Sequence, residues 1–214
     1  MRVKICGITQ VDQALAIAQL GATDLGFICV PQSPRYLPVD RLASILATLR
    51  DRQVEVGTVG VFANTSLATI QATVQQTGLN TLQLHGAETP EDCRQLRQTV
   101  PQCQLIKAIR VASTVDLAQA LPYAARVDVL LLDAYQPGVL GGTGLTLNWA
   151  NLKSFSPACP WFLAGGLSPD NIQTALTQLS PDGIDLSSGV EERPGWKDLA
   201  LVERLFQQLG PWLA

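Results

Sequence analysis

The sequence predicts an α/β fold: a single-domain (β/α)8 barrel over residues 1–214, its eight parallel strands joined by helices, with a shortened helix after strand six. Short β-branched runs alternate with amphipathic stretches from one end of the chain to the other, the pattern of βαβ units around a parallel sheet. Eight units in 214 residues leave about 27 residues each, close to the lower bound of ~200 residues for a closed barrel. The turn after the first strand reads Cys6-Gly7-Ile8-Thr9. It lacks the G-x-G-x-x-G glycines that an open dinucleotide-binding sheet places there.

The strands fall at Arg2–Cys6, Asp24–Val30, Glu55–Phe62, Thr81–His85, Leu105–Arg110, Asp128–Asp133, Trp161–Ala164 and Gly183–Leu186. The helical stretches are Val11–Leu20, Val39–Leu49, Leu67–Gln76, Pro90–Thr99, Thr114–Leu121, Pro169–Leu179 and Leu199–Leu209, with a stunted one at Asn148–Lys153. Start signals support several of them: Asp40 after Pro38, Ser66 after Asn64, Thr89-Pro90-Glu91-Asp92, and Ser168-Pro169-Asp170. Pro and Gly fall at strand ends, and no linker or repeat divides the chain.

Composition narrows the function. The chain is 47% hydrophobic and 15% charged, enough to build a core. Lys and Arg number 15 against 18 Asp and Glu, a net charge of −3. No basic stripe marks a nucleic-acid partner. The five cysteines Cys6, Cys29, Cys93, Cys103 and Cys159 are scattered without a C-x-x-C pair, so neither a disulfide framework nor a zinc ribbon is indicated. A reducing compartment suits them. No apolar run reaches ~18 residues and no h-region follows the N-terminal charges. These features predict a cytoplasmic protein without a membrane partner. One histidine and scattered carboxylates form no metal-ligand cluster.

In a (β/α)8 barrel the active site lies at the C-terminal ends of the strands. Cys6 ends the first strand, His85 the fourth and Asp133 the sixth, while Arg35 sits in the loop after the second, Val30-Pro31-Gln32-Ser33-Pro34-Arg35-Tyr36. Alternation puts Lys4 on the face of Cys6, and Thr81, Gln83 and His85 on one face. If Cys6 points inward, Lys4 is a buried cation that must be paired. Lys107 is a second inward candidate.

Glycine-rich turns close the later strands: Leu140-Gly141-Gly142-Thr143-Gly144, Ala164-Gly165-Gly166-Leu167-Ser168 and Leu186-Ser187-Ser188-Gly189-Val190. Loops after strands seven and eight commonly bind phosphate in this fold. Glycine lets N–H groups approach the oxygens, and Ser187 and Ser188 offer hydroxyl donors. Plainer readings stand beside these. On spacing alone Cys6 is a small buried hydrophobe, Asp133 is as readily a turn or cap carboxylate, Arg35 a solvated loop arginine, and His85 a satisfied rim hydrogen bond.

Lys4-Ile5-Cys6-Gly7-Ile8-Thr9, Gly26-Phe27 through Ser33-Pro34-Arg35-Tyr36, Leu82-Gln83-Leu84-His85-Gly86, Gly141-Gly142-Thr143-Gly144 and Leu163-Ala164-Gly165-Gly166-Leu167 together resemble the phosphoribosylanthranilate isomerase family. So do Gly183-Ile184-Asp185-Leu186-Ser187-Ser188-Gly189-Val190-Glu191 and Pro194-Gly195-Trp196-Lys197-Asp198. The match runs in order from residue 3 to residue 198. That family has the TIM-barrel architecture and belongs to tryptophan biosynthesis. It converts N-(5'-phosphoribosyl)anthranilate to 1-(2-carboxyphenylamino)-1-deoxyribulose 5-phosphate by an Amadori rearrangement. The resemblance implies Cys6 as general base, Asp133 as general acid and Arg35 as ligand of the anthranilate carboxylate. It implies Gln83, His85 and Asp185 as further substrate contacts, and Gly165, Gly166, Ser187, Ser188 and Gly189 as the phosphate site. It implies no cofactor and no metal, a phosphoribosyl-anthranilate substrate as the small-molecule partner, and a monomer or homodimer.

Elementary chemistry agrees with those roles. An acid at the furanose oxygen opens the ring to a Schiff base, and a thiolate at C2′ then gives the enolamine. An acid and a base at one pH need environments that push their pKa values apart. A thiol of pKa ~8.5 is only a few per cent ionised at pH 7, so Cys6 needs a positive neighbour. Lys4 or a backbone dipole would serve. Two departures touch substrate fit: Cys29 stands where the family more often has an aromatic residue, and Leu147-Asn148-Trp149 where Phe-Asp-Trp is commoner. A ribulose-phosphate epimerase would need metal ligands or paired aspartates, and this sequence has one rim histidine and no such pair; a thiamine-phosphate synthase would need acidic residues for Mg²⁺ and pyrophosphate, and metal dependence would reveal either. A silent phosphosugar-binding barrel would be expected to have lost Cys6 or Asp133. Activity on the histidine-pathway aminoaldose usually goes with a phosphate site in each half, and the signal here is clear only in the last quarter.

Overall fold

The computed structural model describes residues 1–111, 113–133 and 149–213. Eight parallel strands close into a barrel in chain order: β1 (Arg2–Cys6), β2 (Asp24–Ile28), β3 (Gly57–Phe62), β4 (Thr81–Leu84), β5 (Gln104–Arg110), β6 (Val129–Asp133), β7 (Trp161–Ala164) and β8 (Gly183–Leu186). Pairing of β1 with β8, Lys4 opposite Asp185, closes the ring. Around it lie α1 (Val11–Gln19), α2 (Val39–Asp51), α3 (Leu67–Thr77), α4 (Pro90–Thr99), α5 (Thr114–Ala120), α6 (Ile172–Gln178) and α7 (Leu199–Leu213). Between β6 and β7 the described helical structure is a 3-10 turn, Trp149–Leu152; Asn148 and the Gly141–Gly144 turn lie outside the described residues.

Local chemistry fixes several boundaries. Ser66 caps α3 by accepting from the Thr69 N–H, and Thr89 with Asp92 forms a reciprocal capping box on α4. The second strand stops at Ile28, short of Val30, because the chain doubles back and Leu37 N–H takes the Ile28 carbonyl at 2.9 Å. Helix α6 starts three residues later than Pro169. There the Asn171 side chain accepts from Ser168 N–H and donates to the Gly166 carbonyl, folding residues 168–171 into a turn. A two-stranded hairpin, β9 (Glu191–Arg193) and β10 (Trp196–Lys197), follows β8. The sequence reading did not anticipate it, although Pro194-Gly195 is a turn signal.

The core has two compartments. Val59, Ile106, Ala108, Val129, Leu131, Phe162 and Ala164 fill the barrel. Residues of the opposite parity, such as Ile5, Phe27, Leu82, Leu105, Leu132 and Ile184, pack outward against the helices. This parity corrects one expectation. Ile106 and Ala108 take the inward places on β5, so Lys107 between them faces outward, into the layer beneath the loop after β4.

Candidate active site

A cavity of about 370 Å³ opens at the C-terminal ends of the strands. Its walls bring together Cys6, Arg35, Gln83, His85, Asp133, Asp185, Gly165, Gly166, Ser187, Ser188 and Gly189. Every site residue expected from the sequence therefore lines one chamber, although they come from β1, β4, β6, β8 and the four loops after β2, β4, β7 and β8.

Lys4 and Asp185 form a buried pair at 2.9 Å on the interior face of β1 and β8. Burial pulls the Lys4 ammonium down, but Asp185 and Cys6 hold it above the ordinary lysine range. At Cys6 burial pushes the thiol up, and this wins over the Lys4 charge, the strongest influence in the opposite direction. Asp185 is raised by burial too, against the pull of Lys4, with Asp133 adding repulsion. Lys4 thus shifts the proton affinities of Cys6 and Asp185, and both of them shift that of Lys4.

Across the cavity, His85 follows β4 and Asp133 ends β6. His85 Nε2 lies 3.3 Å from Asp133 Oδ2, outside hydrogen-bond geometry. Gln83 Nε2 approaches His85 Nδ1 at 3.4 Å. If the amide donates there, the ring proton sits on Nε2, the nitrogen nearer the carboxylate, without meeting it in a hydrogen bond. Gln83 Oε1 is buried and has no partner among the described residues. A buried acceptor left so is costly unless a ligand meets it.

Arg35 is aimed by a double turn: Ser33 N–H bonds the Val30 carbonyl, and Ser33 Oγ accepts from Arg35 N–H at 3.1 Å. Its guanidinium grips Glu191, Nη2 to Oε2 at 2.6 Å and Nε to Oε1 at 2.9 Å. Lys197 Nζ bonds the same carboxylate at 2.7 Å and the Ser187 carbonyl at 3.1 Å. Burial lowers the Lys197 ammonium, against the attraction of Glu191. Sequence reasoning quoted Glu191 and Lys197 only as parts of motifs. Opposite charges flanking the Pro194-Gly195 turn were the available signal.

The glycine turns after β7 and β8 form the remaining wall. A Cβ on Gly189 would lie 1.9 Å from the Leu167 carbonyl oxygen, so the two turns meet only because this residue is glycine. The Ser187 hydroxyl donates to the Cys6 carbonyl at 3.0 Å, tying β8 to β1. Among the described residues no group of three His, Cys, Asp or Glu is placed to hold a metal ion, and no helix is long and apolar enough to cross a membrane.

Comparison with known proteins then adds independent findings. The model of the family described as N-(5'phosphoribosyl)anthranilate (PRA) isomerase matches residues 3–208. An N-(5'-phosphoribosyl)anthranilate isomerase of Rippkaea orientalis is 59% identical over 209 residues, covering 98% of this chain and 96% of that protein. The crystal structure of phosphoribosyl anthranilate isomerase from Thermotoga maritima superposes with a TM-score of 0.89 at 34% identity, covering 99% of each chain. A structure of such an isomerase in complex with reduced 1-(o-carboxyphenylamino)-1-deoxyribulose 5-phosphate gives 0.83 at 31% identity, again over 99% of each chain.

Proposed function

The chain belongs to the N-(5'-phosphoribosyl)anthranilate isomerase family, and from that premise we propose how its side chains carry out the reaction without a metal. The protein is an isomerase of tryptophan biosynthesis that acts on phosphoribosylanthranilate. The roles that follow rest on one observation: Cys6, Asp133 and Arg35 face a single cavity that also holds the glycine turns after β7 and β8.

The substrate phosphate lies against Gly165, Gly166, Ser188 and Gly189, with Ser187 contributing backbone, and the anthranilate carboxylate meets Arg35. Asp133 gives its proton to the furanose oxygen as the C1′–O bond breaks, and the nitrogen lone pair forms the Schiff base. Cys6 thiolate removes the C2′ proton, and the electron pair moves to make the enolamine. Tautomerisation returns one proton to C1′ and takes one from the 2′-hydroxyl, which resets acid and base. The buried Lys4 ammonium opposes the effect of burial on Cys6. The free Gln83 Oε1 and the imidazole of His85 meet substrate hydroxyls, and Asp185 fixes Lys4.

On the same reading residues 1–214 are one catalytic domain, active as a monomer or homodimer in the cytoplasm, with no nucleic-acid or membrane partner and no cofactor. The test is turnover of freshly made phosphoribosylanthranilate in EDTA, for the wild type, Cys6→Ser and Asp133→Asn. Turnover in EDTA that falls ~10²-fold or more in each variant is expected of an acid–base pair. Turnover that needs added metal, or variants as active as the wild type, would overturn these assignments.

A further inference from the structure

Behind Arg35, outside the cavity wall, stands the Glu191 side chain, only 3% exposed against 22% for Arg35. Its carboxylate accepts from Arg35 Nε and Nη2, from Lys197 Nζ, and from Gly195 N–H at 3.1 Å. The hairpin carrying these partners is fixed from two sides. Gln13 on α1 makes two hydrogen bonds to the Lys197 backbone, at 2.7 and 3.0 Å. Thr9 Oγ1 donates to the Gly195 carbonyl. On the opposite side the Arg35 stem lies over Gly7, where a Cβ would come within 2.7 Å of Cδ. Arg35 is therefore held along its length, and Glu191 occupies one edge of its guanidinium fork.

A guanidinium has two edges that match a carboxylate bidentately. With the Nε–Nη2 edge taken, the Nη1–Nη2 end remains. We propose that Glu191 is a positioning residue for carboxylate specificity: by holding one edge of Arg35 it turns the other to the anthranilate carboxylate. This rests on the reading that Arg35 meets that carboxylate. Charge alone predicts the reverse of positioning, because removing a negative group beside Arg35 would strengthen its hold on an anion. Exchange predicts the same reversal, since a substrate that must displace Glu191 binds better without it. The sign of one substitution separates these accounts.

Calorimetric titration with reduced 1-(o-carboxyphenylamino)-1-deoxyribulose 5-phosphate, and with the same compound lacking its ring carboxylate, reads that sign. The proteins are the wild type, Glu191→Gln, Glu191→Asp and Arg35→Ala. Glu191→Gln should bind the carboxylated probe about 10-fold more weakly, the scale of a charge-assisted hydrogen bond. It should bind the carboxylate-free probe within about twofold of wild type, which also shows that the protein is folded. In turnover the same variant should raise KM with little change in kcat. Glu191→Asp, which keeps the charge on a shorter arm, should fall between. Unchanged or tighter binding of the carboxylated probe would overturn the proposal, as would equal losses for both probes. Arg35→Ala tests the underlying reading separately: if it keeps the wild-type preference for the carboxylate, Arg35 is not the carboxylate ligand.

Discussion

Lys4 on β1 and Lys107 on β5 are both buried lysines paired with a carboxylate, at 2.9 and 2.8 Å. They lie on opposite faces of the barrel wall. Lys4 shares its face with Cys6, and its charge falls on Cys6 and Asp185, both of which line the cavity. Lys107 points outward, donating to the Gly86 carbonyl at 2.8 Å and to Glu88, whose other oxygen accepts from Asn64 N–H. Its charge falls on Glu88, Asp92 and Cys93, none of them in that cavity. Tyr123 completes this cluster, its hydroxyl donating to the Glu88 carbonyl at 3.0 Å. A buried pair is expensive to desolvate wherever it lies. Strand parity decides what that expense achieves: inward, it places a charge against the thiol proposed as the base; outward, it laces two loops to the wall.

Substitution should separate the two lysines by kind of effect. Lys4→Met should give the largest change in rate, lowering kcat/KM by ~10²-fold as Cys6 loses its main stabilising charge. Lys107→Met should leave kcat within about threefold and lower stability by about 3–5 kcal/mol, the cost of stranding one member of a buried pair; denaturant unfolding measures this. A Lys107→Met enzyme that is stable but inactive would break the comparison. The smallest effect concerns acid. Glu88 is held below the ordinary carboxylate range, where Lys107 and Asn64 outweigh burial. Its contribution to stability is thus present above the unfolded value of ~4.3 and lost as pH falls through the lower folded value. Glu88→Gln should melt lower than wild type at neutral pH and differ less from it in strong acid.

Much of this architecture was legible from the chain. Cys6 and Asp133 sit at strand ends, and Arg35 follows a Ser-Pro pair in the next loop, so the barrel rule alone sends them to one rim. Lys107 was misread because a short apolar strand does not declare its phase, and its partner Glu88 belongs to a loop 19 residues away in sequence. Glu191 escaped notice for a related reason. Its contacts with Arg35 span 156 residues, and only closure of β1 against β8 brings loop two beside the hairpin. The direction of the Cys6 shift was also hidden, because burial outweighs the cation that the sequence did reveal.

The most direct test of the parity account is the pH dependence of kcat/KM for wild type, Lys4→Met and Lys107→Met, which reports the essential base of the free enzyme. Burial already raises Cys6, so the limb that reports Cys6 should lie above the ordinary thiol value in the wild type. Losing Lys4 should move that limb further toward alkali. Asp185 would then take up a proton and release part of its repulsion, but Lys4 is the stronger of the two influences on Cys6. Lys107→Met should superpose on the wild type. A limb that moves equally in both variants, or in neither, would contradict the account.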